Sequence, residues 1–284
     1  MTRSDLAESD VTPPRVTARL FRMELRRALH RRAVWGLIGL ALLGTVVTGV
    51  LVFIGTSHAD PSAAGEIDVA RMADWWRPDI PDGVVLMPAI MLFLGAVIGG
   101  ASVVGGEWRS GGVATVLTWA PRRPPLLLAR LAACALLAWV IALALQVIFL
   151  LALVPTVLAH GTTDGVDGQF LRSLTGVLVR IAVITAISAV LGGAVASIGR
   201  NTAAALVVVL GWMLVGEAIV RALKPGVSRW LLGENIARVV VFGPDRSLPF
   251  TRPGWVALAT LAAYAAAMVV GATFLFARRD VVTT

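Results

Sequence analysis

Long apolar runs separated by short polar segments rich in Arg set the pattern of this chain. Six such runs, 34–55, 84–105, 131–159, 173–198, 202–220 and 255–277, are each long enough to cross a hydrocarbon core of ~30 Å as a helix rising ~1.5 Å per residue. Ahead of the first run the period changes. Arg15, Arg19, Arg22 and Arg26 recur on one helical stripe and Ala18, Phe21, Leu25 and Ala28 on the next, which predicts an amphipathic helix over 15–32. Such a helix is expected in the plane of the membrane surface, with Arg on lipid phosphates and Phe21 and Leu25 in the acyl boundary. Residues 1–14, polar and ending in Pro-Pro, are expected to form a disordered tail. The expected fold is all-α and polytopic: one six-span domain over 15–284.

The third run is too long for its task. Apolar character extends from 126 to 159, about 51 Å as a helix, so part is expected to project as a stalk or to break near Pro155. The second run is dense in small residues, and Gly95 and Gly99 form a GxxxG that allows close helix packing, within the chain or between copies. Between spans five and six, 221–253 is read as an external or re-entrant segment. Within it 228–242 has helical spacing at Leu231, Leu232, Ile236 and Val239.

Composition narrows the class. A hydrophobic fraction of 57%, a charged fraction of 15% and a mean hydropathy of +0.83 exclude a soluble globular domain. The net charge of +8 is concentrated at span ends, where Arg sets orientation and attracts anionic headgroups, so nucleic acid is not expected as a partner. Arg-rich residues before the first span, an acidic loop over 56–83 and Arg278 and Arg279 after the last place both termini in the cytoplasm. The basic content of 221–253 conflicts with its external placement. No secretory signal is read at the start of the chain.

Candidate chemistry is sparse. One cysteine, Cys134, and three scattered histidines, His30, His58 and His160, leave no metal site in prospect. Lys224 stands between Leu223 and Pro225, so no P-loop is formed; neither a Ser/His/Asp constellation nor an HExxH occurs. No catalytic residue is expected, and active work would need a nucleotide-hydrolysing second chain. Two charges fall inside spans. Arg180 is expected to snorkel to the outer interface, and Glu217 to pair with Arg221 at i, i+4; a proton-relay role is the alternative.

The segment between spans two and three is the most informative. Glu107 is expected near a helix N-terminus, Gly111 and Gly112 allow a kink, and Val113, Val116 and Leu117 form an apolar face. Trp119 is suited to a partner's pocket, Pro121, Pro124 and Pro125 stop the helix, and Arg122 and Arg123 can reach acidic groups. Read from the residues alone, this loop of 107–125 either docks on a soluble partner or lies on lipid.

The amphipathic N-terminal helix, GEWRSGGVATVLTWAPRR after the second span, the six spans and FARRDV at the end together resemble the permease subunit of ATP-binding-cassette transporters of the type-2 exporter family. The resemblance implies a cytoplasmic coupling helix in that loop, carrying Glu107, Trp108, Arg109, Gly111, Thr115, Pro121, Arg122 and Arg123. It implies re-entrant helices between spans five and six. It further implies two separate ATPase subunits that bind ATP and Mg, and a second permease copy, identical or paralogous. The expected setting is a bacterial plasma membrane, and the expected cargo a hydrophobic or amphipathic molecule such as a drug, antibiotic or lipid. The competing readings are an ATP-independent channel or proton-coupled carrier using Arg180 and Glu217, and a membrane anchor or sensor that moves nothing.

Overall fold

A computed structural model describes residues 13–57, 86–109, 111–112, 123–160, 163, 165–241 and 252–278. The tail 1–12, the acidic loop, and the segment with Thr115, Trp119, Pro121 and Arg122 lie outside the described residues, as do the side chains of Arg15 and Arg109.

Every regular element among the described residues is helical: α1 (Pro13–Leu29), α2 (Arg32–Ser57), α3 (Leu86–Arg109), α4 (Arg123–His160), α5 (Gly168–Gly199) and α6 (Thr202–Gly211). A π-helical turn, Trp212–Gly216, joins α6 to α7 (Glu217–Leu223). A 3-10 turn, Pro225–Trp230, then leads to α8 (Leu232–Val241), and α9 (Gly254–Arg278) follows. Six of these helical stretches, with α6, the π turn and α7 counted as one, are long and apolar enough to cross a membrane. The chain is an all-α, multi-pass membrane protein.

α5 is the central post. Its most apolar window is 67% buried, against 11% for α2, which turns Leu40, Leu43, Val46 and Leu51 outward. Apolar side chains facing out are what a hydrocarbon solvent requires. The tightest crossing joins α3 to α5. A Cβ on Gly100 would collide with the Ala189 carbonyl, and one on Gly192 with that of Val97. Within the chain the Gly95/Gly99 motif does not make this contact: a Cβ on Gly95 would meet nothing within 4 Å, and one on Gly99 only Leu37 at 3.5 Å. Backbone contact is made by Gly100, one position further around the helix, which faces α5.

α4 runs as one helix of 38 residues, about 57 Å long, and continues through Pro155 to His160. Its first turns are packed within the protein, with Leu126, Leu127, Ala129 and Leu131 buried. α1 departs from expectation. It ends at Leu29 rather than Arg32, and its apolar face turns onto the base of α4, with Glu24 and Ala28 fully buried and Phe21 and Leu25 half-buried. Arg19, Arg22 and Arg26 are exposed on the opposite face. The Trp35 indole N–H donates to the Leu29 carbonyl at 2.8 Å, satisfying one of the acceptors left open where α1 stops.

Candidate functional site at the base of the central loop

Five charged side chains, from three helices and the α1–α2 junction, meet where the central loop leaves and re-enters the bundle. Arg130, one turn and a half into the apolar part of α4, forks onto Glu24 of α1: Nε to Oε2 at 3.0 Å and Nη2 to Oε1 at 3.1 Å. The same Nη2 lies 2.6 Å from Glu107 Oε2 in the last turn of α3. Glu107 Oε1 in turn accepts from Arg31 at 2.8 Å and lies 3.2 Å from Arg27. Arg27 also reaches Glu24 at 3.5 Å. Glu24, Glu107 and Arg130 are buried, while Arg27 and Arg31 keep part of their surface.

Placing two carboxylates away from water is costly unless they are paired and hydrogen-bonded. Three guanidiniums surround them, one in the bidentate geometry that suits Arg and carboxylate. Arg31 stands in the break between α1 and α2, free of helical geometry, and its Nη1 also donates to the Ser102 carbonyl at 2.9 Å. It crosses α3 over Gly106, where a Cβ would lie 2.7 Å from that Nη1. Gly106 is therefore the gap through which the N-terminal segment reaches Glu107.

The expectation that Glu107 sits near a helix N-terminus is corrected. It lies at the C-terminal end of α3, where the peptide dipole disfavours a negative charge. The three Arg side chains, not the dipole, hold it there.

Trp108, the next residue, faces the other way. The guanidinium of Arg200 lies 4.8 Å from its ring centre, and Phe276 near the end of α9 meets it edge-on at 5.9 Å. Arg200 occupies the two-residue turn between α5 and α6 with φ 51°, in the left-handed region where a side chain is strained. Its guanidinium stacks on Trp108 from this turn. Asn201 then caps α6, accepting from Ala203 N–H at 2.8 Å. The Glu107–Trp108 dipeptide thus divides its attachments: Glu107 binds α1, the α1–α2 junction and α4, and Trp108 binds the α5–α6 turn and α9.

Neither the protein-family models nor the curated proteins compared with this chain gave a match.

The remaining predicted residues are placed as follows. Gly111 has φ 67°, a left-handed conformation that ends the run of α3, and Arg123 opens α4. At the opposite end of the bundle, the expected Glu217–Arg221 pair is corrected. Arg221 Nε binds Glu234 Oε1 at 2.8 Å, and the Glu217 carboxylate accepts the N–H groups of Leu232 at 2.6 Å and Gly233 at 3.0 Å. The Arg180 Nη2 reaches the Val240 carbonyl near the end of α8 at 3.4 Å. No group of His, Cys, Asp and Glu suited to a metal ion occurs among the described residues.

Glu24 and Arg130 were not singled out by sequence reasoning as partners. The signal was present: Glu24 is the one acid in a strongly basic helix and lies on the apolar stripe of Phe21, Leu25 and Ala28, while Arg130 interrupts an otherwise apolar run. Opposite lone charges on two apolar faces are what a buried pair looks like in one dimension.

Proposed function

We propose that the chain is the permease subunit of an ATP-binding-cassette exporter of the type-2 family, driven by a separate ATPase pair through the loop that follows Glu107 and Trp108. The observation that carries this reading is the divided attachment of that dipeptide. A soluble partner pushing on the loop would act on Glu107 and Trp108 together. Through them it would displace α1 and α4 on one side and the α5–α6 turn and α9 on the other. A loop that only lay on lipid would have no need of a five-charge anchor with three buried members at its root.

In this reading the loop end faces the cytoplasm, which agrees with the exposed Arg19, Arg22, Arg26 and Arg32 at that end. The exposed Arg face of α1 lies on anionic headgroups, Thr115, Trp119, Pro121, Arg122 and Arg123 meet the ATPase, and ATP and Mg are bound there. Two permease copies form the path, and alternating access moves a hydrophobic or amphipathic cargo outward across a bacterial plasma membrane. The carrier alternative gains no support from its two candidate residues, because Arg180 and Glu217 are both engaged with the backbone of α8.

The test is co-purification with a stand-alone ATP-binding-cassette ATPase sought among the neighbouring reading frames. The wild-type chain is expected to retain the ATPase, and the double substitution Arg122→Glu, Arg123→Glu to lose it while still extracting as a folded protein. Undiminished binding by that variant would overturn the docking role.

A further inference from the structure

Trp230, at the end of the 3-10 turn, holds two cations at once. The guanidinium of Arg252 lies 5.0 Å from its ring centre and that of Arg229 5.9 Å. Like charges drawn to one ring repel each other, and a carboxylate beside them would be the ordinary remedy. None is present. Among the described residues no acidic side chain lies within ion-pair reach of Arg229, Arg252 or the buried Arg238. The two carboxylates of this region are already taken, Glu234 by Arg221 and Glu217 by the N–H groups of Leu232 and Gly233.

Arg252 is nevertheless built into its place. Its Nη1 donates to Arg229 O at 2.7 Å and Asn235 Oδ1 at 3.0 Å, and its Nη2 to Thr260 Oγ1 at 3.2 Å. Asn235, fully buried, is fixed the right way round because its amide nitrogen donates to the carbonyls of Arg229 and Leu231, which leaves its oxygen for Arg252. Every one of these acceptors is neutral. A guanidinium has five N–H groups, so these three bonds leave the Arg252 Nε–H and one Nη2 N–H unspent. Charge and donors are both left over.

The surroundings select among anions. Val227 and Trp230, three residues apart in the 3-10 turn, share one face and are both exposed, as are Leu223 just before the turn and Trp255 at the start of α9. Exposed indoles and aliphatic side chains beside Arg and Lys224 at the end of a span are the composition of the boundary between headgroups and acyl chains. A free phosphate would gain nothing from the apolar part. A phospholipid uses both.

We propose that this face is a binding site for an anionic phospholipid of the leaflet at the far end of the bundle. Arg229 and Arg252 take the unesterified phosphate oxygens, and Trp230 and Val227 meet the glycerol and the upper acyl chains. Between 217 and 260 the described residues carry five cations and two carboxylates, and this excess sets the preference for a net negative headgroup over a zwitterionic one. The site needs only a membrane, so it stands or falls apart from the ATPase reading.

The test reconstitutes the full chain in phosphatidylcholine vesicles doped with phosphatidylglycerol or phosphatidylcholine brominated high on the acyl chains. Quenching of Trp230 is read as the difference between wild type and Trp230→Phe. Brominated phosphatidylglycerol should half-quench this component at about fivefold lower mole fraction than brominated phosphatidylcholine, the preference expected from one Arg at a membrane surface. Arg229→Gln, a change at an exposed side chain, should remove most of that preference, and Arg252→Gln should do the same where it still folds. The combined change Arg19→Gln, Arg22→Gln, Arg26→Gln, at the opposite end, should leave it unaltered. Equal quenching by the two lipids in the wild-type chain, or a preference that Arg229→Gln leaves intact, overturns the site. A preference abolished by inorganic phosphate in the buffer would make the face a free-phosphate site and overturn the lipid assignment.

Discussion

At the loop end, Glu24 and Glu107 direct their oxygens to the side chains of Arg27, Arg31 and Arg130, whereas at the far end Glu217, Arg180 and Arg238 bond to backbone groups. Both ends bury charge in a membrane protein, and they use it differently. The side-chain cluster ties together residues 24, 31, 107 and 130, which are remote in sequence, and constrains no backbone conformation. It can travel as a unit when its helices shift. The backbone-directed charges instead define the shape and seat of a single segment, 225–241, and lose their partners once that segment moves. One arrangement suits the transmission of a displacement, the other the holding of a position.

The comparison can be broken most severely at Arg130. Arg130→Ala leaves Glu24 and Glu107 buried without their shared counter-charge, and such a loss costs ~3–5 kcal/mol. Thermal unfolding of the detergent-solubilised chain should show the largest midpoint drop in any single-substitution series. Arg27→Ala, at a position one-third exposed, should stay within ~1 kcal/mol of wild type. Equal effects for the two would mean that the cluster is not held by its buried member.

The crossing from which both ends hang comes next. Gly100→Ala drives a methyl group into the Ala189 carbonyl and should destabilise by ~1–3 kcal/mol, while Gly95→Ala, with open space around it, should change stability by under ~0.5 kcal/mol. A reversed order in the same unfolding assay would restore Gly95 as the packing residue.

At the far end, Glu217→Ala removes the acceptor for two N–H groups of α8 and should cost ~1–2 kcal/mol, with Glu217→Gln costing less. This loss should be smaller than that of Arg130→Ala, since freed N–H groups near a helix end can find water more readily than a carboxylate can lose its charge. The smallest effect is expected at Arg200→Gly. Relief of the left-handed strain and loss of the stack on Trp108 are each ~1 kcal/mol and of opposite sign, so the unfolding midpoint should barely move. If the divided attachment is right, the same variant should still weaken the response of the α5–α6 turn to loop binding, read as spin-label distances with and without the ATPase.

Much of the architecture could be read in one dimension. The runs at 34–55, 173–198 and 255–277 fall within α2, α5 and α9 to within a few residues at each end, because a span is a length requirement and length is written directly in the sequence. The unusual length of α4 was legible for the same reason: the largely apolar run over 126–159 is longer than one crossing needs. The partners of charges were not legible. Glu217 and Arg221 are spaced as a helical pair, yet Glu234, 13 residues beyond Arg221, takes the guanidinium, because the chain turns back through Pro225–Trp230 and brings α8 against α7. The basic character of 221–253, at odds with an external placement, has its account in the same turn. Arg221, Arg238 and Arg252 are tied to groups of their own segment and neighbouring helices, so they act as internal fastenings.

By itself, the sequence determined that the chain is a bundle of membrane-crossing helices, where those helices lie, and that α1 has one basic and one apolar face. Hydrophobic length and helical period are local quantities, and no neighbour can change them. Only the tertiary structure decided which face of each helix meets which other: that α1 packs on protein, that Gly100 rather than Gly95 makes the crossing, and that Glu24, Glu107 and Arg130 form one cluster. Those choices depend on close approach between segments far apart in the chain, where buried charge must find charge and a backbone can touch a backbone only where no Cβ stands between them.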